Sequence, residues 1–292
     1  MRLLLKFNLV LILVFAVGAS IAGYLSRRFL QQSAQDQVTQ QARLMMAAAG
    51  AMRSYTSKQV GPVLKSQQLA GDAFLPQTVP AYSATEVFNY LRSTYPAYTY
   101  KEATLNPTNP RDRALDWEAE VVASFRNHPE RKEMIGERES AEGRLMFLAQ
   151  PITAEASCLE CHSTPNKAPA AMIKVYGSEH GFNWQLNDTV GAQIVSVPMA
   201  VPAAVADRAF RTTMLSLGGV ALGVVLILDL LMVIIVIRPA TRLSAMAQEI
   251  SKGNLDVPEL PVKGKDEISQ LARSFNRMYV SLAKAIRMLE QR

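Results

Sequence analysis

Two long apolar runs constrain this 292-residue chain more than any other feature, because whatever lies between two membrane crossings must fold on one side of the bilayer. The first runs from Leu3 to Leu25, with Lys6 and Asn8 near its start and Arg27-Arg28 just beyond its end. At about 1.5 Å of rise per residue it is long enough to span. The second, Met214 to Ile237, holds sixteen Leu, Ile and Val residues and a single charge, Asp229. That carboxylate costs about 2.5–3.5 kcal/mol at mid-bilayer, whereas sixteen such apolar side chains contribute roughly 5–10 kcal/mol, so insertion wins. Asp229 is then either a functional intramembrane acid or, the plainer reading, a protonated contact with a neighbouring helix. The spans divide the chain into residues 1–25, 26–212, 213–237 and 238–292.

A cleaved signal peptide competes for the first run, since Ser20-Ile21-Ala22 offers small residues at a plausible cleavage position. The adjoining segment favours an uncleaved anchor. From Gln31 to Val63 apolar residues recur at Val38, Ala42, Met45, Ala49, Met52 and Tyr55, a three/four spacing that predicts an amphipathic helix continuing out of the membrane.

Between the two runs stands Cys158-Leu159-Glu160-Cys161-His162, the C-x-x-C-H pattern of c-type haem attachment. Thiols one helical turn apart can each form a thioether with a vinyl group, and the adjacent imidazole can ligate the iron. These are the only two cysteines, too few for a structural zinc site of four Cys/His ligands. A redox pair would open a helix in a βαβ unit. Here Gly143 to Ile152 reads as a strand before the motif, and Thr164-Pro165-Asn166 and Pro169 read as loop after it. One covalently attached haem c is therefore expected.

Positive charges flank both sides of the two runs equally. Arg2, Lys6, Arg238 and Arg242 lie on one side, and Arg27, Arg28, Arg208 and Arg211 on the other, so charge bias does not orient the chain. Haem attachment does: it takes place outside the bacterial cytoplasmic membrane, which puts residues 26–212 in the periplasm and both termini in the cytoplasm. The net charge of +6 is spread rather than clustered, and no nucleic-acid partner is expected.

Within residues 26–212, Pro62 and the segment Gly71 to Pro80 end the long helix. Helices are expected over Ala84 to Ser93 and Asp112 to Asn127, and strands over Tyr98 to Leu105, Arg131 to Arg138, Gly143 to Ile152 and Thr189 to Val197. Asn106-Pro107-Thr108-Asn109-Pro110 reads as a rigid turn. The fold class is α+β with an antiparallel sheet, PAS-like in pattern.

Several dispersed segments between Gln37 and Pro198 resemble one family: Thr78 to Ala81, Asn106 to Pro110, the cysteine motif followed by Ala168-Pro169, Tyr176-Gly177, Gly181-Phe182 with Trp184, and Val190 to Pro198. The family is that of periplasmic c-type haem-binding sensor domains, found ahead of HAMP modules in bacterial signalling proteins and alone in cyanobacteria. The resemblance implies thioethers from Cys158 and Cys161 and a proximal His162. Some stand-alone members carry a distal Cys from the early helix; here Tyr55 to Val60 has none. The sixth position is left to Met45, Met46, Met52 or His128, or is open. A Met ligand suits redox sensing, and an open iron binds NO, CO or O₂. Tyr176 and Trp184 are expected either against the porphyrin or as ordinary core residues, and His180 as a turn residue.

Beyond the second run, Arg238-Pro239 opens a short helix with Leu243, Met246 and Ile250 at three/four spacing. A connector carries Leu255, Val257, Leu260 and Val262. Asp266-Glu267 then starts a helix with Ile268, Leu271, Phe275, Met278, Leu282 and Leu289 in heptad register. This resembles a HAMP module, with a generic juxtamembrane coiled coil as the alternative. Such helices close a four-helix bundle when two chains pair, so a homodimer is expected. No phospho-accepting or catalytic segment is recognisable after it. The expectation is a non-enzymatic, two-pass membrane sensor of redox state or a diatomic gas, signalling through the HAMP helices to a separate cytoplasmic partner. A membrane-anchored electron-transfer cytochrome is the alternative.

Overall fold

Residues 3–55 contain no proline, and in the computed structural model they form one uninterrupted helix, α1 (Leu3–Tyr55). The structure describes residues 3–64, 73–141, 143–261 and 264–290, the side chains of 289 and 290 excepted. Arg2, Gly71, Val262 and the Leu289 side chain thus lie outside the described part. Two units emerge: residues 27–210, and residues 1–26 together with 211–292.

In residues 27–210 a four-stranded antiparallel sheet runs in the order β1-β4-β3-β2, built from β1 (Thr99–Thr104), β2 (Met134–Ser140), β3 (Gly143–Thr153) and β4 (Thr189–Pro198). Side chains alternate across a strand, and here both faces are covered. On one face Tyr100, Met146, Leu148, Val195 and Val197 pack against α1 and α2 (Pro80–Thr94). On the other, Ala103, Ala149, Ala192 and Ile194 pack against Val121, Val122 and Phe125 of α3 (Asp116–Asn127). Double coverage explains why β3 and β4 read as apolar runs, while β2, one of the two edge strands, alternates between half-buried and exposed. The sheet has four strands, which is the form the expected antiparallel core takes.

Two helix starts differ from the sequence reading for local reasons. Proline at the first helical position pre-sets φ, and α2 starts at Pro80 rather than Ala84. The segment Pro110–Asp112 forms a 3₁₀ turn capped by Asn109 Oδ1, which accepts the Arg111 N–H at 3.2 Å. The α3 helix consequently begins only at Asp116, where the Glu118 carboxylate accepts the Leu115 N–H at 2.8 Å. On α1 the buried stripe is Val38, Ala42, Met46 and Ala49; Met45 and Met52 flank it, and Tyr55 is exposed. A π-helical turn, Thr56–Val60, comes at once after it and rotates the face beyond Tyr55 out of the three/four register.

The other unit holds two helices long and apolar enough to cross a membrane, the start of α1 and α6 (Ala200–Met232). They run antiparallel: Asn8 Nδ2 donates to both carboxylate oxygens of Asp229 at 3.1 Å, and a Cβ on Gly23 would lie 3.4 Å from Met214 Sδ, fifteen residues away on each helix. That spacing is about 22 Å of helix. A second π-turn, Val233–Ile237, joins α6 to α7 (Arg238–Ser251), and α8 (Glu267–Glu290) completes the unit. Asn276 of α8 accepts the Leu260 N–H at 3.1 Å and donates to its carbonyl at 3.0 Å, and the Tyr279 hydroxyl donates to the Leu255 carbonyl at 2.6 Å. Within one chain α8 buries Ala272, Asn276 and Tyr279; Leu271, Met278 and Leu282 of the heptad stripe are exposed.

Candidate functional site

The long connection between β3 and β4 is closed at its base, where the Ala154 N–H donates to the Asp188 carbonyl at 2.8 Å and the Asn187 N–H returns to the Ala154 carbonyl at 2.9 Å. It carries two helices, α4 (Leu159–His162) and α5 (Ala170–Tyr176); the second forms in a stretch with no helical expectation from sequence. Cys158 begins α4. Its carbonyl accepts the N–H groups of Cys161 at 3.2 Å and His162 at 3.0 Å, so a single helical turn carries both thiols and the imidazole. Both cysteines are half-buried, and the Glu155 N–H donates to Cys158 Sγ at 3.4 Å.

His162 is held from several directions. Its Nδ1 lies 2.7 Å from the Gly181 carbonyl, which can only accept, so Nδ1 carries the proton and Nε2 keeps the lone pair. Thr108 Oγ1 stands 3.4 Å from the same nitrogen. The Trp184 indole stacks on the imidazole, with centroids 4.1 Å apart and planes 12° from parallel. The backbone N–H of Trp184 donates to the His162 carbonyl at 3.2 Å, and that of Asn183 to the Ser163 carbonyl at 3.0 Å. Burial lowers the His162 pKa and the Gly181 bond opposes that shift; on balance the ring is held neutral, below its ordinary value. A neutral imidazole with Nδ1 tied to a carbonyl and Nε2 open is the arrangement a metal-ligating histidine needs.

Next to the motif lies a charged cluster with no signal in the sequence. Arg53 of α1 contacts both carboxylate oxygens of Glu102, which is 5% exposed, and the Tyr100 hydroxyl donates to Glu102 Oε1 at 2.8 Å. Burial works against the Arg53 charge, Glu102 more than offsets it, and Cys158 is near enough to add to the effect, so the guanidinium pKa lies above its ordinary value. Burial likewise pushes Tyr100 far up, with Glu102 adding to it. Asp112 is pushed up to about 6, chiefly by burial.

The remaining expected residues are placed apart. Met46 is 4% exposed in the core between α1, α2 and the sheet, and Met45 and Met52 pack against the same cluster. His128 caps the exit of α3 and faces Glu130 at 3.4 Å in solvent. Tyr176, at the end of α5, meets Phe74 edge-on at 5.8 Å. His180 Nδ1 lies 3.1 Å from Asn106 Oδ1. Among the described residues no group of three or more His, Cys, Asp or Glu side chains could hold a metal ion by itself.

An α+β domain inserted between two apolar helices, with a helix–connector–helix module after the second, has the organisation of a membrane-associated signalling protein. The Tll0287-like family model matches residues 31–198, more than half of the chain, and the chain belongs to that family. The HAMP domain model matches residues 231–284, so a HAMP domain comes after it. A solved structure, described as the cyanobacterial heme-protein Tll0287, is similar at 16% identity with a TM-score of 0.43, over 55% of this chain and 94% of that one. No curated protein matches the chain.

Proposed function

We propose that the chain is a membrane-bound haem-c sensor that detects redox state or a diatomic gas in the periplasm and signals through its HAMP domain to a separate cytoplasmic partner. The observation that carries this reading is the neutral His162 imidazole, Nε2 open and Nδ1 tied, one turn from two cysteines. Cys158 and Cys161 would hold the porphyrin by thioethers and His162 Nε2 the iron, and the group would supply a redox couple or an open coordination site. Burial of Met46 in the core supports a sixth position that Met46 does not fill.

The transmission route lies in the chain itself. Backbone bonds tie His162 and Ser163 to Trp184 and Asn183, and five residues after Trp184 the chain enters β4. That strand is paired on both sides, which makes it stiff, and only Met199 separates it from α6. A displacement of His162 is thereby delivered to the helix that contains the second apolar run. Two packings of the helices must interact differently with the two states of the site for such a shift to occur. The exposed stripe Leu271, Met278 and Leu282 supports pairing with a second copy, which closes the four-helix bundle. The two apolar helices are read as the membrane spans, with residues 26–212 periplasmic and both termini cytoplasmic.

The test has two parts. A denaturing gel stained for haem should show covalent pigment that Cys158→Ala and Cys161→Ala remove; an unstained wild type sinks the reading. Paired chains carrying Leu271→Cys should then crosslink at rates that differ between oxidised, reduced and NO- or CO-treated protein. Identical rates in all states, with stained haem, would instead indicate an electron-transfer cytochrome.

A further inference from the structure

We propose that the Asn106–Pro110 loop positions His162, with Thr108 as the residue that sets the strength of the imidazole's Nδ1 hydrogen bond. This rests on the haem reading above. The loop, between β1 and α3, is far from the cysteine motif in sequence, and its prolines at 107 and 110 fix φ on both sides of Thr108.

The contact is close. Gly181 has φ +81°, a conformation that side chains disfavour, and a Cβ there would fall 1.9 Å from Thr108 Oγ1, 2.8 Å from its nitrogen and 2.9 Å from its Cα. The nearest of these atoms is the Thr108 hydroxyl, so that side chain, with its backbone behind it, lies directly on Gly181. The same Gly181 presents its carbonyl to His162 Nδ1 at 2.7 Å, while Thr108 Oγ1 stands 3.4 Å from that nitrogen. A second tie, His180 Nδ1 to Asn106 Oδ1 at 3.1 Å, holds the loop to the turn one residue earlier. Trp184 closes the opposite side by stacking on the ring. The loop thus presses on the turn and the turn holds the imidazole, so the acceptor cannot recede from Nδ1–H.

The chemical consequence stems from the basicity of the ligand. A short Nδ1–H···O=C bond makes the imidazole a stronger donor through Nε2, which favours the ferric state. Removing the Thr108 side chain frees the space beside Gly181, lets its carbonyl retreat and weakens that donor. The midpoint potential should rise and the Fe–His stretching frequency should fall.

The experiment uses the full chain, haem-loaded and in detergent, as wild type, Thr108→Ala, Thr108→Ser and Asn106→Ala. Covalent haem is read on a denaturing gel, the potential by spectroelectrochemistry and the Fe–His stretch by resonance Raman of the reduced protein. Expected are haem in all four, a raised potential and lowered stretch in Thr108→Ala, recovery toward wild type in Thr108→Ser, and a smaller shift of the same sign in Asn106→Ala. Loaded Thr108→Ala with unchanged potential and stretch overturns the proposal and leaves the haem reading standing, whereas a wild type without covalent haem overturns both. Should Thr108→Ala not accumulate, Asn106→Ala decides: a shift of the stated sign supports the positioning role, and wild-type values overturn it.

Discussion

Arg53→Met is expected to be the most damaging single replacement outside the apolar core, and the structure says why. Glu102 is 5% exposed and takes hydrogen bonds from two donors, the Arg53 guanidinium and the Tyr100 hydroxyl. Truncating Arg53 leaves a carboxylate enclosed with Tyr100 alone, and removing one partner of such a buried pair costs about 3–5 kcal/mol. Losing the other donor, in Tyr100→Phe, forfeits one hydrogen bond to a charged group, about 1.5–3 kcal/mol. The combined Arg53→Met/Glu102→Leu replacement removes the desolvation penalty along with the attraction and leaves only the buried Tyr100 hydroxyl without its acceptor, so it should cost about 1–3 kcal/mol, less than Arg53→Met alone. Both tryptophans of the chain, Trp117 and Trp184, lie in the unit of residues 27–210, so urea unfolding tracked by tryptophan emission reports this unit within the intact protein. A loss below about 1 kcal/mol for Arg53→Met, or a double replacement as costly as the two singles summed, would show that Glu102 is not held as a buried anion by Arg53.

Asp112 and Asn276 offer two further tests. Asp112 has a folded pKa of about 6 against an ordinary value of 3.8, so the folded chain holds the extra proton between those values; the stability this confers is present below about pH 4 and lost as pH rises through 6. Asp112→Asn should therefore match wild type near pH 4 and exceed it by up to about 3 kcal/mol above pH 7, and an equal difference at both pH values would refute the assignment. In the HAMP unit, Asn276→Ala leaves the Leu260 N–H and carbonyl unpaired, a loss of about 1–3 kcal/mol. Amide exchange at Leu260 should accelerate about tenfold or more, and unchanged protection would mean that the connector is held by other contacts.

Much of the architecture was legible because it depends on local pattern. Two apolar runs, a three/four stripe, alternating strands and C-x-x-C-H each carry their meaning within a few consecutive residues. Even so, the same rules misplaced details that other local features decided: Glu118 capping moved the start of α3 to Asp116, and at about 100° per residue Tyr55 falls off the Val38–Ala42–Met46–Ala49 stripe, which continues instead to Thr56. Met45 and Met46 are adjacent in sequence, and only packing against Phe88 and the sheet assigns the interior place to Met46.

The sequence by itself therefore determined the α+β class, the antiparallel sheet, the two apolar helices, the helical module after them and the residues of the cysteine motif. Tertiary structure alone decided what surrounds His162. Thr108 comes from the loop after β1, and Gly181 and Trp184 come together from a turn about seventy residues later. Gly181 and Trp184 stood out in the sequence only as part of a dispersed pattern, and a threonine between prolines is ordinary where it stands in the chain. Their effect on one imidazole arises from distance and burial, and those quantities exist only once the sheet has brought the loops together.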